Sequence, residues 1–346
     1  MDIEKLKTWF KSHPLQVAVI CVAFAASVGL VSLNTRGDNK DFASQGSQAI
    51  LIKEGMTTAD IAALLHEKKL VRDPEAFRME ARLTGLSSKL QAGLYQIEGG
   101  LSNGQIMDVL VKGRIKQVSF VVPEGYTVVK TAKKLEAEGL GKADKFIEAA
   151  KNYAPYDYMQ TDDPNVVFKA EGFIYPATYD LPVGISEERL LKILVDAFDH
   201  NIKAEGIDKT VAERNLKLRD VVNMAAMVEL EAVFREEQPR IAGVFLKRLE
   251  IGMPIQSDTT IQYILGTQKE EITFKDTEIQ NPYNTYQNPG MPPGPIGSPG
   301  INAIKAVLQP EQTEYLYFVA EKDGHHRFTR TYQEHLRAID EIHGGN

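Results

Sequence analysis

Apolar residues along this chain change their spacing several times, and each change marks a different kind of element. Leu15–Leu33 (LQVAVICVAFAASVGLVSL) runs for 19 residues without a charge. At about 1.5 Å per residue, a helix of that length crosses a hydrocarbon core of about 30 Å. Lys5, Lys7 and Lys11 precede it, and Trp9 and Phe10 stand where an interfacial belt would lie. The lysines predict a cytoplasmic tail over residues 1–14, a transmembrane helix over 15–33 and everything after Asn34 outside. One rival is a cleaved signal peptide, but the exit Ser32-Leu33-Asn34 lacks a small-x-small cleavage pattern. Another is a buried core helix, but nothing amphipathic interrupts the run. Residues 34–48 are polar, with Gly37 and Gly46, and read as a linker.

After the linker a short pattern occurs twice. Ile50-Leu51-Ile52-Lys53-Glu54-Gly55-Met56-Thr57 resembles Phe120-Val121-Val122-Pro123-Glu124-Gly125-Tyr126-Thr127. Each is an apolar strand, a Glu-Gly turn and a threonine placed to cap a helix. Helical spacing follows over 59–69 and 129–138. Ala92–Ile97 (AGLYQI) echoes Glu171–Tyr175 (EGFIY), which predicts duplicated αβ units. The first, over residues 49–117, reads as a strand, a helix pair, a returning strand and a helix over 101–113. It resembles a LysM-like glycan-binding module, and a plain packing or spacer unit has the same outline.

Residues 118–346 predict a mixed α+β domain. Helical periodicity covers 186–205, 210–218, the stretch from Asp220, 239–250, 302–308 and 331–342. Tyr315–Ala320 (YLYFVA) reads as a strand, with a hairpin partner at His325–Phe328 across the turn Lys322-Asp323-Gly324. The fold class is therefore α+β: one N-terminal transmembrane helix, a LysM-like αβ unit and a mixed α+β domain.

The most informative stretch is Asp220–Gly252. Val221, Ala225, Val228 and Ala232 form one apolar stripe at about 100° per residue, and Glu229 and Glu231 flank it on opposite sides. A carboxylate against an apolar wall is poorly solvated, so its pKa rises and it can hold a proton near neutral pH. A general acid needs that property. The plainer reading is a helix with two edge glutamates paired to Arg235 or to solvent.

Composition narrows the choices. The chain has 346 residues, enough for two or three domains, and is 43% hydrophobic and 25% charged, as a globular protein is. A net charge of −7 without a basic run argues against nucleic acid as a partner. Cys21 is the sole cysteine, so no intramolecular disulfide and no cysteine metal cluster can form. The histidines lack close metal-ligand spacing, and no metal or cofactor is implied. Ala170–Pro182 gathers aromatics and prolines suited either to stacking on sugar rings or to a core. In Pro289–Gly300, nine of twelve residues are Pro or Gly. Predicted structure brackets this segment on both sides, so it reads as a binding wall rather than a tether.

Together these features resemble one family. The anchor and the LysM-like unit are followed by EGFIYPATY at Glu171–Tyr179, MVELE at Met227–Glu231 and RLEIGMPIQSD at Arg248–Asp258. YNTY at Tyr283–Tyr286, GMPPGPIGSPG at Gly290–Gly300 and YLYFVA at Tyr315–Ala320 complete the order. The chain is similar over essentially its whole length to the YceG-like (MltG) endolytic murein transglycosylases. The family's acid directly follows the Val of a (I/V)E-x-E run, which implies Glu229 here. Leu230 and Ala232 stand where the family often has Lys and Thr, beside the acid rather than on it. The resemblance implies a lyase that cleaves the MurNAc–GlcNAc bond without water and leaves a 1,6-anhydro end, so ending nascent strands near peptidoglycan synthases. The enzyme would be single-pass in the cytoplasmic (inner) membrane, with its catalytic domain outside.

Gln256, Asp258, Tyr283, Asn284 and Tyr286 are candidate sugar contacts, since amides, carboxylates and tyrosines match ring hydroxyls and N-acetyl groups. The same residue types also stabilise loops through Asx-type hydrogen bonds. Glu231 is either an orienting neighbour of the acid or a surface carboxylate paired with Arg235. Two other functions fit parts of the pattern: a hydrolase with Glu229 as acid and Asp258 as base, and a membrane-tethered glycan-binding scaffold in which Glu229 is structural.

Overall fold

The computed structural model describes residues 39–112, 117–269 and 271–344. The expected membrane span, residues 15–33, lies outside them. Among the described residues no helix is long and apolar enough to cross a membrane. The chain divides into two compact units. One holds the described residues up to Val118 together with Leu181–Ile185; the other holds Ser119–Asp180 and the chain from Ser186 onward.

In the first unit the order is β1 (Ser47–Ile52), α1 (Thr58–Glu67), α2 (Pro74–Leu83), β2 (Gly93–Glu98) and α3 (Asn103–Lys112). β1 and β2 pair antiparallel, with Ile50 opposite Tyr95 and Ile52 opposite Gly93. Strand alternation turns Ile50, Ile52, Tyr95 and Ile97 to one side. The apolar faces of the helices meet them there, through Ile61, Leu65, Phe77, Ile106 and Leu110. Each such buried side chain contributes about 2 kcal/mol. Thr57 starts α1 by a capping box with Asp60, and Asp73 starts α2 with Pro74 at the first helical position.

From Gln117 the same order recurs: β3 (Gln117–Val121), α4 (Val128–Ala137), α5 (Ala143–Asn152) and β4 (Thr178–Pro182), with β3 paired to β4 and all but the first two residues of β3 and the last two of β4 in the second unit. Thr127 caps α4 by accepting from the Lys130 N–H at 3.1 Å, as Thr57 caps α1. The duplication therefore lies in the order of elements. The expected strand echo at Glu171–Tyr175 is a turn, and the strand that answers β2 begins only at Thr178. Gly172 is left-handed at φ 85°, and Pro176 has no N–H to give a ladder.

The chain continues through α6 (Glu187–Ala204), α7 (Ile207–Glu213), α8 (Leu218–Glu231), α9 (Gln238–Glu250), α10 (Asp258–Leu265), α11 (Phe274–Thr277) and α12 (Ile301–Leu308). It ends with the antiparallel hairpin β5 (Tyr317–Ala320) and β6 (His326–Thr329), followed by α13 (Tyr332–His343). The helix expected over 210–218 stops at Glu213. Asn215 turns left-handed at φ 53°, which asparagine tolerates, and α8 starts afresh at Leu218. α8 packs on α9 and α12. Met224, Met227 and Val228 of α8 share a core with Ile241 and Phe245 of α9 and with Ile255, Tyr283 and Ile296.

Candidate active site

α8 is buried on every side. Residues 221–228 are all at most 5% exposed, so the helix is a core rod rather than a one-sided stripe. Its last turn emerges only at Glu229, Leu230 and Glu231, which are half-buried. Ala232 then turns extended and ends it. Two carboxyls thus sit at a helix C-terminus, where the backbone dipole disfavours negative charge.

Oε2 of Glu229 accepts the backbone N–H of Gly300 at 2.9 Å. Burial pushes the Glu229 carboxyl above the ordinary range, and the nearby Glu124 carboxylate adds to the shift; the Gly300 N–H and Arg235 oppose it. Glu124 touches the same glycine from another side, since a Cβ at Gly300 would run into its carboxylate. Arg235 holds Glu124 by Nη2 to Oε2 at 2.9 Å. The expected pairing of Arg235 with the edge glutamates of α8 is therefore replaced by a pairing with Glu124. In the sequence Glu124 is only part of a repeated Glu-Gly turn, which hides its place beside Glu229.

Glu231 points into different surroundings. It accepts from the Ser257 hydroxyl, and from the Thr259 hydroxyl at 3.4 Å, which ties the end of α8 to the start of α10. Burial raises its pKa, the Asp258 carboxylate adds to this, and the Ser257 hydroxyl opposes it.

The Pro/Gly segment is fastened along α8. Asn223 Nδ2 donates to the Pro292 carbonyl at 2.7 Å, and Gly300 meets Glu229 two turns later. Between these points Gly125 donates to the Ser298 carbonyl at 2.7 Å, and Ser298 donates back to Tyr126 at 2.9 Å. Residues 294–300 are buried. The segment is a wall built onto the acid's helix.

The expected sugar contacts separate into groups. Asp258 is exposed and accepts the Tyr286 hydroxyl at 2.5 Å. Gln256 is exposed and left-handed at φ 49°, and its N–H donates to the Thr285 carbonyl at 3.2 Å. Tyr283 is buried against Tyr263, with ring centroids 5.0 Å apart. Asn284 is fully buried, and its side chain is committed to its own loop. Nδ2 donates to Thr277 and Ile279 at 3.0 and 2.8 Å, and Oδ1 accepts the Tyr286 N–H at 2.9 Å.

Beside Leu230 lies an open pocket of about 530 Å³. Thr127, Lys130, Lys133, Leu230, Asp258 and Tyr283 are among the residues that line it. Behind it Glu171 is 1% exposed; it accepts the Val128 N–H at 3.0 Å and the Tyr263 hydroxyl at 3.3 Å. Burial pushes its carboxyl up to about 8. Its signal in the sequence is the EGFIY run, which reads there as an echo of AGLYQI within an aromatic cluster.

A carboxyl biased toward its protonated form, fixed on a rigid helix end with one backbone donor on it, has the properties a general acid needs. The YceG-like family model matches residues 50–341, and the chain belongs to that family. It is 31% identical over 302 residues to the endolytic murein transglycosylase of Bacillus subtilis strain 168, covering 84% of this chain and 83% of the relative. It is 29% identical over 318 residues to the endolytic murein transglycosylase of Streptococcus pneumoniae strain D39, of which the match spans 57%. The crystal structure of a yceG-like protein from Listeria monocytogenes superposes with a TM-score of 0.60 at 29% identity, over 84% of this chain and 99% of the other.

Proposed function

We propose that this protein is an endolytic murein transglycosylase, with Glu229 as its single acid. The carrying observation is the half-buried Glu229 carboxyl, raised above the ordinary carboxylate range yet bonded to the Gly300 N–H. The protonated group gives its proton to the glycosidic oxygen between MurNAc and GlcNAc as that bond breaks. The resulting carboxylate takes the proton of the MurNAc C6 hydroxyl while O6 closes on C1, so the product carries a 1,6-anhydro end and water takes no part. Burial and Glu124 favour the protonated form needed for the first half. The Gly300 N–H favours the carboxylate needed for the second.

Asp258 and Gln256 are the sugar contacts best supported by exposure, with half-buried Tyr286 bonded to Asp258 and Tyr283 as an aromatic wall. Asn284 contributes by holding this loop in shape. Residues 118–346 form the catalytic domain, and residues 49–117 are a LysM-like unit that holds glycan. A cytoplasmic tail (1–14), a membrane helix (15–33) and a linker (34–48) keep the enzyme at the outer face of the cytoplasmic membrane. There it cuts nascent strands near peptidoglycan synthases and ends their growth.

The test uses the full chain in detergent on uncrosslinked glycan strands, with Glu229→Gln in parallel and products read by mass. Internal cuts with anhydro ends, absent in Glu229→Gln, are expected. Ends ~18 Da heavier would make water the acceptor, and a second carboxylate would then be required. Glu124, which shares Gly300 with the acid, would come before Asp258, whose charge bears on Glu231. Glycan binding without any cut would leave a scaffold.

A further inference from the structure

The pocket beside Leu230 shares Asp258 and Tyr283 with the candidate sugar contacts, but the rest of its lining differs from them in chemistry. Its lining is mostly apolar, with Val129, Val167, Phe168, Ile264 and Ile296 among its walls. Sugar sites are rich in groups that answer ring hydroxyls, whereas this surface suits methyl and methylene groups. It also carries cations. Lys130 and Lys133 stand three residues apart on α4, so they share a face, and both are exposed. Neither makes a salt bridge among the described residues, whereas half-buried Lys134 on the same helix pairs with Glu138 and exposed Lys151 on α5 pairs with Glu148. Asn165, Gln268 and Asn281 add amides at the rim, where a peptide backbone could be met. The one carboxylate lining the pocket, Asp258, is already hydrogen-bonded to Tyr286.

An uncharged glycan does not account for two exposed cations that make no salt bridge beside an apolar lining, even with Lys130 near enough to act on the buried Glu171, but one part of murein does. Each muramic acid carries a peptide on its lactyl ether that begins with alanine and continues with an acidic residue, so it offers a methyl group, amides and a carboxylate in sequence. The location fits as well, because Leu230 directly follows Glu229 and belongs to both the acid's helix and the pocket wall.

We propose that this pocket is a subsite for the acidic peptide carried by the muramic sugar, with Lys130 and Lys133 receiving its carboxylates and the apolar floor its alanine methyl. The inference rests on the murein reading above and adds a peptide requirement to it. The enzyme would then favour strands that still bear peptides and bypass stripped ones.

Two measurements separate this inference from that reading. In the first, the full chain in detergent is given uncrosslinked strands that bear peptides or have been stripped by an amidase. The ratio of kcat/KM for the two substrates is expected to be about tenfold in favour of peptide-bearing strands, the scale of two exposed charge pairs. Lys130→Gln/Lys133→Gln should bring that ratio toward one, and Lys130→Glu/Lys133→Glu should invert it. Equal cleavage of both substrates by the wild type would overturn the proposal, and so would a ratio unchanged by the lysine variants. The second measurement needs no catalysis: calorimetric binding of a free muramyl tripeptide against muramic acid without peptide. Tighter binding of the tripeptide, lost in the lysine variants, supports the subsite even if no strand is cut, in which case the catalytic reading alone has failed. Equal binding of both ligands overturns the subsite whatever the enzyme cleaves.

Discussion

The backbone N–H of Gly300 reaches Oε2 of Glu229 at 2.9 Å, joining the residue before α12 to the last turn of α8. The bond leaves the other carboxyl oxygen to carry the proton. It also sets a partly positive group against the charge that appears once the proton leaves. Burial and Glu124 act in the opposite sense. Both influences would serve a group that gives a proton and then takes one, as proposed for Glu229.

Glu229→Gln keeps an oxygen for the Gly300 N–H and removes only the transferable proton. It should lower kcat for anhydro-end formation by about 10³-fold or more, while leaving the melting temperature within a few degrees of wild type. Single-turnover digestion followed by mass analysis checks the first expectation and a thermal melt the second. Retained cleavage would move the acid elsewhere, with Glu231 the first alternative.

Glu124 and Arg235 should move the pH profile in opposite directions. Activity falls as pH rises through the pKa of a required acid. Glu124→Gln removes a negative neighbour, lowers the Glu229 pKa and shifts that limb to lower pH. Arg235→Ala removes a positive neighbour and frees Glu124, and the limb shifts to higher pH. Profiles of kcat against pH for the three proteins decide it. Coincident limbs would mean that solvent screens this pair from the acid.

Local signals in the sequence were strong where short range governs. The threonine caps at Thr57 and Thr127, the helix α8 itself though not its burial on every side, the hairpin β5–β6 and the final helix all follow from spacing and turn chemistry. α10 was hidden, because its opening Asp258-Thr259-Thr260 favours caps and strands, and the helix is held there by contacts distant in sequence. One such contact is Thr260 Oγ1 with Thr285 Oγ1 at 3.0 Å. α5 was overlooked for a different reason, since its charged surface leaves only Phe146 and Ala150 buried. At the candidate site, Glu229 was conspicuous because a carboxylate within an apolar helix stands out. Glu124 and Glu171 were not, since what matters about them is contact with Gly300 and Tyr263, 176 and 92 positions away. Asn284 shows the converse: its residue type matches a sugar contact, and its full burial commits it to the loop.

Gly300→Ala tests whether close approach is needed. Its methyl group would enter the space of the Glu124 carboxylate and push apart the residues around the acid. Activity should fall about 10- to 100-fold, for a stability loss of about 1–3 kcal/mol. Adding Glu124→Ala makes room for the methyl and should restore part of the stability. If the double variant is no more stable than Gly300→Ala alone, the collision is not the cause.

Glu171 gives the chain a pH-dependent stability separate from catalysis. Its folded pKa of about 8 lies above the ordinary 4.5 of an unfolded glutamate. Below pH 4.5 both states hold the proton and the contribution to stability is complete. Between 4.5 and 8 the unfolded chain releases a proton that the folded chain keeps, so stability declines with pH, by up to about 1.4 kcal/mol per unit. Above 8 the folded state ionises as well and the decline from this group stops. Glu171→Gln retains an acceptor for the Val128 N–H but cannot titrate. Relative to wild type, the variant should gain stability steadily from pH 5 to pH 8, by a few kcal/mol in total. Urea unfolding at several pH values reads the difference directly. A wild-type–variant difference that stays constant across the range would mean that Glu171 titrates alike in both states, and that the buried carboxyl is ionised beneath the pocket wall.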